Sequence, residues 1–149
     1  MRRKIHRGGF SLVELIIVVA IMAILSTLAV PSLQTYMAQR RLNGAARLVM
    51  SDLMNARMLA VTQNRNVQVS FPTSAAATYT YDATSAALSR NIQTGFDYHD
   101  VTVAAATSPT FVSSGRLSNT VGIAIALASS TLGRTKTVSV NTSGRVAIE

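Results

Sequence analysis

Between Phe10 and Val30 the chain reads FSLVELIIVVAIMAILSTLAV, 21 residues in which Glu14 is the single charged side chain. Every residue from Leu15 to Leu25 is apolar, and no charge occurs from Leu15 to Gln39. A helix needs about 20 mostly apolar residues to cross a bilayer, so this run is just long enough. Residues 1–9, MRRKIHRGG, carry Arg2, Arg3, Lys4 and Arg7. The positive-inside rule keeps such a leader in the cytoplasm and places the chain beyond the span outside. The formal charge of +8 falls to a side-chain balance of +4 without those four cations, so part of the basic character belongs to targeting.

A cleaved secretory signal peptide and a plain single-pass anchor are the two general readings of this start. The first requires small residues before a cut after Ala29, which Thr27-Leu28-Ala29 supplies poorly. The apolar run also exceeds the usual 7–15 residues of such a signal. Glu14 argues against both. A carboxylate costs about 2.5–3.5 kcal/mol near the centre of a spanning helix and less near its end. An acid kept at that expense is a functional candidate, and its partner has to be named.

Gly9-Phe10-Ser11-Leu12-Val13-Glu14 resembles the signal of type IV prepilins and pseudopilins. The resemblance implies cleavage between Gly9 and Phe10 by a prepilin peptidase and N-methylation of Phe10. Glu14 becomes the fifth residue of the processed chain, where that family carries its glutamate, and Pro31 falls where its helix carries a proline. The family also implies the partner for Glu14, the N-terminal amine of a neighbouring subunit in a helical bundle. An ammonium and a carboxylate among apolar helices must pair or neutralise. Glu14 is then a docking and register device, not a catalytic acid.

Pro31 removes one helical hydrogen bond and predicts a kink, with a simple helix stop as the alternative. Helix-forming sequence resumes at Ser32 and continues to about Thr62, with Gly44 its only glycine. Leu42, Ala45, Val49, Leu53, Ala56 and Ala60 recur at steps of three and four, one apolar face. Arg40, Arg41, Arg47, Asp52, Arg57 and Gln63 are expected on the polar remainder. Met37, Met50, Met54 and Met58 are read as core or subunit-contact residues.

Past Asn64 the pattern alternates. Val67, Val69 and Phe71 form a half-buried strand ending at Pro72, and Thr78–Tyr81 is a second. Residues 73–110, rich in Thr, Ser and Ala, are expected to hold loops and short edge strands. Further strands are expected over 123–127, 135–140 and 145–148. A three-residue loop, Thr142-Ser143-Gly144, pairs Val140 with Val146 and Val138 with Ile148 and puts all four on one face. Any loop one residue shorter or longer flips one strand. Gly144 supplies the left-handed residue that closes such a loop.

Phe111-Val112-Ser113-Ser114-Gly115-Arg116 and Ser143-Gly144-Arg145-Val146 resemble the GspH/FimT-type minor pseudopilins. The implied fold is α+β, with one long N-terminal helix packed on an antiparallel β-domain of two small sheets. Four segments are implied: a cleaved leader (1–9), a membrane and filament-core helix (10–30), an amphipathic helix (31–64) and the β-domain (65–149). The implied role is a structural subunit of a type IV pilus or type II secretion system. Partners would be a prepilin peptidase, other pilins or pseudopilins, and an inner-membrane assembly platform. The chain would be single-pass in the bacterial inner membrane with its domain in the periplasm.

The alternative that this resemblance implies is a DNA-binding minor pilin acting in DNA uptake during natural transformation, for which the family feature is a Gly-Arg-any-Arg motif. Here Gly144-Arg145-Val146-Ala147 keeps only the first arginine. Arg116, Arg134, Lys136 and Arg145 are the candidate phosphate contacts of this alternative, which would be non-specific and salt-sensitive. The reading favoured over it makes Arg145 a solvated residue beside a turn. An enzyme is disfavoured. There is no cysteine, only His6 and His99 supply imidazole, and the six acids are Glu14, Asp52, Asp82, Asp97, Asp100 and Glu149. Asp97, His99 and Asp100 are read as solvated loop residues, too few for a calcium cage. No metal or cofactor is expected.

Overall fold

A computed structural model describes residues 10–82 and 87–149. The leader 1–9, including Gly9, lies outside the described residues. One helix, α1, runs from Leu12 to Thr62. Pro31 lies inside it, so the helix does not stop there. Ser11 precedes the first turn and its carbonyl accepts the Leu15 amide at 3.1 Å. The other end closes on Asn64, which takes the left-handed conformation at φ 49°. The Arg65 amide then bonds the Ala60 carbonyl and the Asn64 amide bonds that of Val61, a Schellman closure of the last turn.

The chain divides into two compact units, one ending at Tyr36 and one spanning Met37–Glu149. In the second unit eight strands follow the helix: β1 (Val67–Ser70), β2 (Thr78–Asp82), β3 (Ala87–Asn91), β4 (Val101–Ala105), β5 (Thr110–Phe111), β6 (Ile123–Ser129), β7 (Arg134–Val140) and β8 (Val146–Ile148). They form two four-stranded antiparallel sheets, ordered β3-β2-β1-β5 and β4-β6-β7-β8. The bridges Ala76–Val103 and Phe111–Leu117 join connecting segments to their edges.

All six residues of the expected helical stripe are buried, from Leu42 through Ala60. They pack on the inward residues of both sheets, Val67, Val69, Tyr79, Val101, Val103, Ile125, Leu127 and Val138 among them. The stripe is three alanines, two leucines and one valine. The final hairpin has the expected register, Val140 opposite Val146 and Val138 opposite Ile148. Gly144 is left-handed at φ 80°.

Two expectations need correction. Asp52, assigned to the polar face, is only 2% exposed. Asp100, read as a solvated loop residue, is 6% exposed. Both lie inside because arginines from across the fold reach them. Among the described residues of 73–110, β3 and β4 are the short edge strands expected there, and β2 is an interior strand of its sheet.

Candidate functional site

The N-terminal end of α1 is the first candidate. Glu14 lies in the first turn. Counting from Ser11 it takes the third helical position, the Ser-x-x-Glu spacing of a capping box. That spacing is legible in the sequence. A carboxylate there also faces the positive end of the helix dipole. Phe10 is 78% exposed, and no residue from Phe10 to Tyr36 is buried. The helix is long and apolar enough to cross a membrane. Its hydroxyls are satisfied from within: Ser26 donates to the Met22 carbonyl, Thr27 to Ile24, Ser32 to Ala29 and Thr35 to Pro31. Hydrocarbon demands internal pairing of this kind from polar groups.

The second unit holds two buried charge clusters. In one, the Asp52 carboxylate accepts the Tyr79 hydroxyl at 2.6 Å and both arms of Arg90, at 3.0 and 3.2 Å. Arg90 also lies over the rings of Tyr81 and Phe96. Burial and the bond to Asp52 push the Tyr79 phenol well above its ordinary range. The bond to Asp52 raises Arg90 further.

In the other cluster, Asp100 accepts from Arg41 Nε at 2.5 Å and from the Ser129 hydroxyl at 2.7 Å. Burial opposes its charge, but these donors outweigh it and hold the carboxyl below the usual carboxylate range. The stabilisation from Asp100 is therefore complete above its unfolded value near pH 4 and is lost as the pH falls through the lower folded value. Asp100→Asn is expected to flatten the acid limb of the stability profile below about pH 4. Denaturation midpoints of the full chain across pH in detergent test this; an unchanged acid limb refutes it.

The four candidate DNA contacts do not gather. Arg134 is exposed at the start of β7, and Lys136 donates to Asn43 Oδ1 at 2.7 Å. Arg116 and Arg145 lie beyond the other end of β7, roughly 20 Å away at 3.3 Å per residue. They emerge from two turns built alike. The Gly115 amide bonds the Val112 carbonyl and the Val112 amide bonds that of Arg116; Gly144, Asn141 and Arg145 repeat both bonds. The two turns touch. The Leu117 amide donates to the Thr142 carbonyl at 3.2 Å, and a Cβ on Gly144 would overlap the Gly115 carbonyl oxygen. Arg57 of the helix donates its Nε to that same oxygen at 2.9 Å. The twin Ser-Gly-Arg strings were visible in the sequence, but nothing there said that the two turns meet.

Comparison with known proteins gives the class. Residues 5–30 match the prokaryotic N-terminal methylation motif, and residues 45–144 match the family described as type II transport protein GspH. Two crystal structures of the type IV minor pilin FimU of Pseudomonas aeruginosa share the fold at 20% identity. They superpose with TM-scores of 0.57 and 0.61, covering 72% and 76% of this chain and 92% of FimU. No curated protein matches the chain. The match over residues 45–144 joins the β-domain to a methylation-type helix, and the chain belongs to the GspH family of pilin-like proteins.

Proposed function

We propose that the chain is a minor pilin or pseudopilin, a structural subunit that helps to prime or extend a filament. The observation that carries this is the union, in one chain, of the Gly9-Phe10 junction, Glu14 and the GspH-type domain. The prepilin inserts with residues 1–9 inside and the β-domain outside. A prepilin peptidase cuts between Gly9 and Phe10, and Phe10 is methylated. Glu14 then pairs with the N-terminal amine of a neighbouring subunit. The apolar helix exchanges lipid contacts for contacts with other helices in the filament, on an inner-membrane assembly platform. Pro31 is proposed as the point where the helix bends. The methyl group on Phe10 comes from a methyl donor held by the methylating enzyme, and the energy for assembly comes from outside the chain.

Two substitutions separate the steps. Gly9→Val is expected to abolish cleavage, leaving a precursor heavier by the nine-residue leader in mass spectrometry. Glu14→Val is expected to insert and be cleaved normally but to fall at least about tenfold in sheared filament fractions, since losing one partner of a buried ion pair costs about 3–5 kcal/mol. Cleavage at another bond, or normal incorporation of the Glu14 variant, overturns the reading.

A further inference from the structure

An uncovered surface lies beside the paired Gly-Arg turns. Met54, Met58 and Val61 are 45%, 58% and 50% exposed. They stand at helix spacings of four and three, an apolar stripe on one face. With Arg57 and Thr62 they line a groove of about 450 Å³. A Cβ on Gly115 would lie 3.1 Å from the Val61 side chain, so the groove runs directly to the turn that carries Arg116. Gly144 and Arg145 abut that turn. Arg116 sits between buried Gly115 and Leu117, and Arg145 between buried Gly144 and Val146. Both arginines are therefore turned to solvent. Among the described residues neither has an acid within ion-pair distance. Arg145 also borders a trough with Glu149, whose carboxylate accepts the Ser139 hydroxyl.

We infer that this apolar groove and its arginine rim, Arg57, Arg116 and Arg145, dock an acidic amphipathic helix of a different pilin-like subunit. The inference rests on the filament reading and names a partner surface for it. Charge complementarity selects the occupant. From Met37 onward the chain has ten Lys or Arg against five Asp or Glu. Asp52 and Asp100 are already committed to Arg90 and Arg41. The helix of a second copy cannot supply the missing carboxylates. It carries only Glu14 and Asp52, the one in the apolar run and the other buried, so self-docking would set arginine against arginine. Methionine and arginine suit an adaptable interface of this kind. The surface thus favours pairing with unlike subunits over self-stacking.

The test uses the full chain in nanodiscs of zwitterionic lipid, with fluorescence anisotropy of three labelled probes. These are a synthetic Leu/Glu amphipathic helical peptide, its Leu/Lys counterpart, and a short duplex DNA. The Leu/Glu peptide is expected to bind and the Leu/Lys peptide not to. The double variant Arg116→Glu/Arg145→Glu is expected to weaken Leu/Glu binding at least about tenfold, and Met58→Asp to weaken it as well. Arg47→Glu, an exposed change elsewhere on the helix, is expected to leave it unchanged. Equal binding of both peptides, no effect of the double variant, or tighter binding of DNA than of the Leu/Glu peptide overturns the proposal. Because the probe is synthetic, the outcome is independent of leader cleavage. A failed Gly9 or Glu14 experiment with intact peptide binding would sink the filament reading and not this surface.

Discussion

Gly144→Ala is expected to destabilise the protein by about 4 kcal/mol or more, the range reserved for specific steric or electrostatic damage. Two penalties combine. The backbone is left-handed at φ 80°, which costs a non-glycine residue roughly 1–2 kcal/mol. The new methyl would also overlap the Gly115 carbonyl oxygen and lie 3.2 Å from Arg57 Nε. That carbonyl is held by Arg57 from the helix, so the turn cannot step aside without breaking a cross-fold bond. Gly133→Ala isolates the first penalty, because it too is left-handed, at φ 59°, but nothing lies within 4 Å of its Cβ. It should cost only about 1 kcal/mol. Thermal scans of the full chain would read this as a midpoint drop of about 15 °C for Gly144→Ala and a few degrees for Gly133→Ala. Equal drops would show that the contact between the turns contributes nothing.

The second large effect is expected at Asp52. Asp52→Ala leaves the Tyr79 hydroxyl buried without its acceptor and Arg90 without its counter-ion. Removing one member of a buried pair costs about 3–5 kcal/mol. Tyr79→Phe should cost less, about 1.5–3 kcal/mol, since it deletes one hydrogen bond to a charged group and leaves the ion pair intact. Arg90 is partly solvated, with 28% of its side chain exposed, so Arg90→Met should fall between them, as the aspartate keeps only the tyrosine. Urea denaturation measures the order, with Asp52→Ala worst, Arg90→Met next and Tyr79→Phe mildest. A series in which Tyr79→Phe is the worst refutes this network.

Much of the fold was legible before the structure. The helical stripe from Leu42 to Ala60 and the Val138–Val146 hairpin follow from periodicity and loop length, and both are local patterns. The apolar run with its glutamate was equally plain. Asp52 and Asp100 were misplaced for the opposite reason. Their partners are Arg90, 38 residues away, and Arg41, 59 residues away, and no spacing rule links them. An isolated aspartate on a helix or in a loop is ordinarily a solvent residue, and only the tertiary fold makes these two exceptions. The alternation in Val101-Thr102-Val103 could have marked β4, but its small neighbours Ala104, Ala105 and Ala106 weakened the pattern. Arg116, Arg134, Lys136 and Arg145 were grouped by charge alone, which carries no distance, and the length of β7 divides them.

The two ion pairs also behave as a polarity key. Arg41 and Asp52 are eleven residues apart, three turns, and so lie on nearly the same side of the helix. One is basic and is answered by an acid, Asp100; the other is acidic and is answered by a base, Arg90. If the helix docked upside down, or slid by three turns, acid would face acid or base would face base. The short aliphatic side chains of the stripe carry no charge to distinguish such placements. A chimera that joins this helix to the sheets of a relative should therefore assemble only when that relative carries both countercharges in the same order.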